Sequence, residues 1–76
     1  MNDELTHRYD EAVTALAEVD LTSSTAAVTS LTRARDAVQS ALDEAMAQAV
    51  TREGASLRQV AALAGIAPNS VSPRLA

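Results

Sequence analysis

Seventy-six residues without a cysteine bound the chain to one small domain and exclude a disulfide framework and thiolate metal sites. A net charge of −4 argues against indiscriminate nucleic-acid binding. A single tyrosine is the only aromatic residue, so the core must come from alanine, valine and leucine, which suits helices packed closely or across a dimer.

No run approaches the ~18 apolar residues a membrane span needs. The start, Met1-Asn2-Asp3-Glu4, is acidic rather than basic and does not read as a signal peptide. The expectation is a soluble cytoplasmic protein with no membrane partner.

The first segment, Asp3 to Val19, is helical by pattern. Leu5, Tyr9, Ala12, Leu16 and Val19 recur at steps of 4 and 3, one stripe on a helix, and Val13 widens it. Asn2 or Asp3 caps its start, and His7 falls off the stripe as a solvated residue. Asp20-Leu21-Thr22-Ser23-Ser24 then breaks the pattern, because short polar side chains compete with the helical backbone. A second, longer helix begins near Ser24 or Thr25 and runs to about Arg52. Its stripe is Val28, Leu31, Arg35, Val38, Leu42, Ala45, Ala49 and Arg52, with the 3.5-residue mean period of a coiled-coil seam. Ala27, Ala34 and Ala41 flank it, and Met46 and Val50 broaden its far end. The two helices are expected to fold back as an antiparallel hairpin. The shorter one covers only part of the longer, and the exposed remainder packs on a second copy of the chain through Val28, Leu31, Arg35, Val38 and Leu42. Arg35, on the seam, snorkels, pairs with Asp36, Glu11 or Glu18, or stands at the edge of a seam that is rotated away from it.

Glu53-Gly54-Ala55 ends the long helix. Ser56 can cap the next one, and Gln59 three residues on completes a capping box. Val60, Ala61, Leu63 and Ala64 give that helix an apolar side. Gly65 sits where the chain must leave the helix through the left-handed region. Ile66 plugs the space between two helices, Pro68 suits the first position of the second, and Val71 faces back toward Ala61.

This order of small, glycine and branched residues resembles the DNA-binding helix-turn-helix. The run Ala64-Gly65-Ile66-Ala67-Pro68-Asn69-Ser70-Val71-Ser72 is most similar to bacterial repressors of the LacI type, whose motif has the form AGVSxxTVSR. The resemblance covers residues 55–75. It implies a recognition helix laid in the major groove of double-stranded DNA, with Pro68, Asn69, Ser70 and Ser72 at its start. Asn69 could then contact adenine. Ser56, Arg52, Arg58 and Arg74 are the other candidates, the arginines for phosphates. Two departures stand out. Ala67 replaces the usual capping serine or threonine, and Pro73 stands where such repressors carry a polar or basic residue, so the second helix is expected to stop near Ser72.

Charge is unevenly placed. Residues 1–50 carry nine carboxylates against Arg8, Arg33 and Arg35, whereas residues 51–76 carry Glu53 against Arg52, Arg58 and Arg74. The exclusive use of arginine and the wealth of alanine fit a GC-rich bacterial or phage genome. No nucleophile–base pair, metal-ligand cluster or phosphate loop points to an enzyme, and no cofactor is expected. The expected fold is all-α, with residues 1–53 an acidic dimerising hairpin and residues 54–76 a helix-turn-helix. The expected function is a small dimeric DNA-binding regulator, most simply a repressor. The alternative is an interaction module, antitoxin-like or an adaptor for a host factor, whose degenerate helix-turn-helix has lost DNA and whose acidic hairpin holds a protein partner.

Overall fold

A computed structural model describes residues 3–71 and 73, and among them run the helices α1 (Glu4–Ala17), α2 (Ser24–Thr51) and α3 (Leu57–Ala64) and the short 3-10 turn Pro68–Ser70. No strand occurs among the described residues, so the fold is all-α. None of the helices is long and apolar enough to cross a membrane. The chain divides into two compact units, residues 1–42 and 43–76, and the division falls inside α2.

In the N-terminal unit, each helix starts on a side-chain cap. Asp3 accepts from the Thr6 N–H at 2.8 Å, and Ser23 Oγ accepts from the Ala26 N–H at 3.0 Å, satisfying donors that a helix start leaves orphaned. Asn2, the other candidate cap, lies outside the described residues. Arg8 Nη1 donates to the Ser40 carbonyl at 3.2 Å, and the Asp20 N–H donates to Ser30 Oγ at 2.9 Å. These two bonds, 32 and 10 residues apart in sequence, fix an antiparallel α1–α2 hairpin. Ser30 also donates to the Ala26 carbonyl at 2.8 Å, so its buried hydroxyl is fully used in pinning the connection.

The hairpin does not close on the stripes that the sequence suggests. Its buried side chains are Ala12 and Ala15 from α1, and Ser30 and Ala34 from α2. Leu5 and Val19 are half-buried. Tyr9, Leu16, Leu31 and Val38 are 59%, 53%, 48% and 45% exposed. The alanine flank, not the leucine–valine seam, is the inward face. Small side chains let two helices approach closely, and the larger ones are turned aside onto one face. Among the described residues Arg35 pairs only with its neighbour Asp36 at 3.2 Å, and at 74% exposure that pair is solvated and contributes little.

The C-terminal unit has a more conventional core. Met46 from α2, Val60 and Ala61 from α3, and Val71 are buried together, with Ala49, Val50, Ala55, Ala64 and Ile66 packed around them. The last turns of α2 therefore serve this unit. Met46, Ala49 and Val50, which the sequence reading assigned to the hairpin of residues 1–53, share a core with α3.

Candidate nucleic-acid interface

The local geometry of residues 56–71 follows from four positions. Ser56 is the N-cap of α3, in extended conformation. Its hydroxyl accepts from the Gln59 N–H at 3.1 Å, and its own N–H donates to Gln59 Oε1 at 2.8 Å. This closed capping box satisfies two orphan groups reciprocally. Gly65 ends the helix at φ 72°, in the left-handed region. The Gly65 N–H donates to the Ala62 carbonyl at 3.4 Å and the Ile66 N–H to the Ala61 carbonyl at 3.0 Å, the paired bonds of a Schellman motif. Ile66 packs on the core beside Ala61, the apolar contact that accompanies that motif. Pro68 then opens the 3-10 turn, where its missing N–H costs nothing.

Val71 anchors the second segment. It is 0% exposed and shares the buried cluster with Ala61 and Val60, while α3 and the 3-10 turn pack on each other. With Val71 turned inward, Pro68 and Asn69 are exposed and Ser70 is half-buried. Ala67 makes no side-chain cap, so the segment starts on backbone bonds alone: Ser70 N–H to Ala67 carbonyl at 2.9 Å and Val71 N–H to Pro68 carbonyl.

Pro73 is helical and exposed, one residue past Ser72, near which the second helix was expected to stop; the residues after Pro73 lie outside the described ones. Ser72 and Arg74, both proposed DNA contacts, lie outside the described residues, as does Leu75.

The remaining candidates divide by position. Ser56 is exposed, but its hydroxyl is committed to the cap. Arg58 is exposed at the second position of α3. A cation there opposes the positive end of the helix dipole, a cost of roughly 0.3–1 kcal/mol, so Arg58 does not serve the helix it stands on. Arg52 follows the end of α2, its N–H donating to the Gln48 carbonyl at 2.8 Å. The structure brings Ser56, Arg58, Pro68, Asn69 and Ser70 into one unit, together with Arg52. The hairpin candidates Val28, Leu31, Arg35, Val38 and Leu42 are all exposed in the other.

Two features were missed from sequence. Asp43 and Glu44 belong to the C-terminal unit, which then holds Asp43, Glu44 and Glu53 against Arg52, Arg58 and Arg74; its formal charge is balanced rather than positive. Leu63 is 88% exposed, off the buried side of α3 that Val60 and Ala61 define. Its apolar character suggested a buried position, but its spacing from Val60 put it at the edge of the stripe. No protein-family model, curated protein or solved structure matches this chain.

Proposed function

We propose that the protein is a small, dimeric, sequence-specific DNA-binding regulator of bacterial or phage origin, with residues 55–75 acting as a helix-turn-helix and the N-terminal hairpin joining two copies. Repression by occupying an operator is the simplest output of so small a chain. One observation carries the reading: the capping box, Schellman turn and N1 proline build two short helical segments around Ala61 and Val71, and they leave Asn69 exposed at the start of the second. A helix-turn-helix presents those N-terminal residues to base edges in the major groove. In this reading Asn69 reads adenine through its amide, and Ser70 and Pro68 border it. Arg58, whose place on α3 disfavours the helix, contacts phosphate, as do Arg52 and Arg74.

A second reading draws on the balanced charge of the C-terminal unit and the exposure of Leu63. In it the helix-turn-helix binds a protein and no longer binds DNA. Selection of bound sequences from random duplexes, repeated at two salt concentrations, separates the two. A regulator enriches a palindrome, weakens as salt rises, and relaxes its sequence preference at one position per half-site in Asn69→Ala. Failure to enrich any sequence even at low salt sinks the regulator and favours the protein partner.

A further inference from the structure

The N-terminal unit is a two-helix layer with two unlike faces. On one, Leu16 of α1 and Leu31, Val38 and Leu42 of α2 line a shallow apolar groove with Arg35 and Gln39 at its margin. Tyr9 and Val13 extend the α1 side of this face, since they stand seven and three residues before Leu16 on the same helical stripe. On the other lie His7, Asp10, Glu11, Thr14, Glu18 and Arg33. Between the helices only alanine methyls and one serine are buried. Each such methyl contributes roughly 0.8 kcal/mol, against about 1.5–3 kcal/mol for a fully buried leucine or valine. Tyr9, Val13, Leu16, Leu31, Val38 and Leu42 therefore leave about half of their burial unrealised within one chain.

We infer that the apolar face is closed by a second copy of this chain, forming a four-helix bundle in which α1 of each copy lies on α2 of the other. The inference deepens the dimeric reading proposed above and rests on it for the direction of the symmetry axis. The area suits the occupant. Six large side chains with roughly half their surface open supply the apolar share, about 57%, of the ~800 Å² per partner that a standard-size protein–protein interface buries.

Charge chooses between the two ways of stacking such layers. With a twofold axis running across the helices, α2 lies on α2, and the Arg35 residues, near the middle of the hairpin, meet each other. With the axis running along the helices, α2 lies on α1 of the partner. Arg8, the arginine of α1, is turned to Ser40 and Glu4, so α1 offers Arg35 no like charge. Arg35 then stands over the partner's α1 near the level of Val13, with its stem along apolar surface and its guanidinium kept with Asp36. Avoiding a like-charge contact fixes orientation more than affinity. The same axis places both Leu42 ends at one end of the bundle, as two readers of neighbouring half-sites require.

The test uses the full chain without DNA, so its outcome is independent of DNA reading, which Asn69→Ala and duplex selection decide. Sedimentation at tens of micromolar is expected to give a dimer, and Val38→Glu to give a monomer of unchanged helix content. The chain has no cysteine, so Tyr9→Cys with Gln39→Cys, at one level of the hairpin and with Arg35 retained, can be cross-linked cleanly. The double variant is expected to form a disulfide-linked dimer at least tenfold more than either single variant. A monomeric wild type, a dimer indifferent to Val38→Glu, or a double variant that links no better than the singles would each overturn the inference.

Discussion

The two units of this chain draw on the same alanine-rich alphabet and place their large residues in opposite ways. The C-terminal unit turns Met46, Val60 and Val71 inward and closes a core of its own. The N-terminal unit buries alanines and leaves Tyr9, Val13, Leu16, Leu31, Val38 and Leu42 exposed. A polar/apolar pattern alone does not distinguish these outcomes, because a leucine stripe serves equally for a seam within one chain and a seam between two. What decides is the partner helix. α1 offers Ala12 and Ala15 at the crossing, and alanine against alanine permits an approach that leucine would prevent.

The largest expected effect breaks this comparison directly. Met46→Ala removes a side chain that is 4% exposed and should cost about 2–5 kcal/mol, set by how far the cavity collapses. Leu31→Ala, at a position 48% exposed, should cost under about 1 kcal/mol at protein concentrations low enough to hold single chains. Its cost should grow as concentration rises, because association adds to stability by mass action. Urea melts followed by helical circular dichroism at two concentrations measure both. Equal costs at the lower concentration would mean that Leu31 packs within its own chain.

Much of the fold was legible from short-range chemistry. The cap at Asp3, the capping box at Ser56 and Gln59, the glycine exit at Gly65 and the proline entry at Pro68 are local devices that each depend on four or five neighbouring residues. The inward side of the hairpin was not legible, because hydrophobic periodicity ranks leucine above alanine while close helix packing favours the reverse. Ser30 was passed over for a related reason: its value lies in a bond to Asp20 across the connection, which no spacing rule announces. The ownership of Met46 was equally hidden. α2 runs unbroken through both units, and nothing in its sequence marks where one core ends and the next begins.

Within the C-terminal unit, backbone-level substitutions sharpen the contrast between a closed core and the turn that feeds it. A Cβ added at Gly65 meets no atom within 4 Å, so Gly65→Ala should cost only the left-handed conformation, about 1–2 kcal/mol. Ser56→Ala breaks the hydroxyl half of the capping box and should cost about 1 kcal/mol. Ala67→Ser runs the other way. Ala67 is already extended at φ −70°, ψ 143°, so a serine there can accept from the start of the 3-10 turn, for a gain of about 0.5 kcal/mol. Thermal melts of the three variants should rank in that order. A stabilising Gly65→Ala would contradict the left-handed turn on which the position of Asn69 depends.

The smallest expected effect is a pH dependence that belongs to the N-terminal unit. The Glu4 carboxyl is held below its ordinary range chiefly by the hydrogen bond from Arg8 Nε at 2.8 Å. Asp20 is held low by the Thr22 hydroxyl, at 2.6 Å, and by the Thr22 N–H, at 2.9 Å. A carboxyl whose folded value is depressed favours folding while ionised. Its contribution is present above the ordinary values, 4.5 for Glu4 and 3.8 for Asp20, and is lost as pH falls through the lower folded ones. Both groups are exposed, so the loss is gradual and small. Salt separates them. The Glu4–Arg8 bond joins two charges in water and weakens as the Debye length shrinks to ~3 Å at 1 M, whereas the Asp20–Thr22 bonds involve no second ion. Carboxyl-carbon titration by NMR should therefore show Glu4 moving toward its ordinary value in 1 M salt while Asp20 stays low. Loss of the Asp20 depression in Thr22→Val would confirm the hydroxyl as its main cause, and an unchanged Asp20 titration in that variant would contradict it.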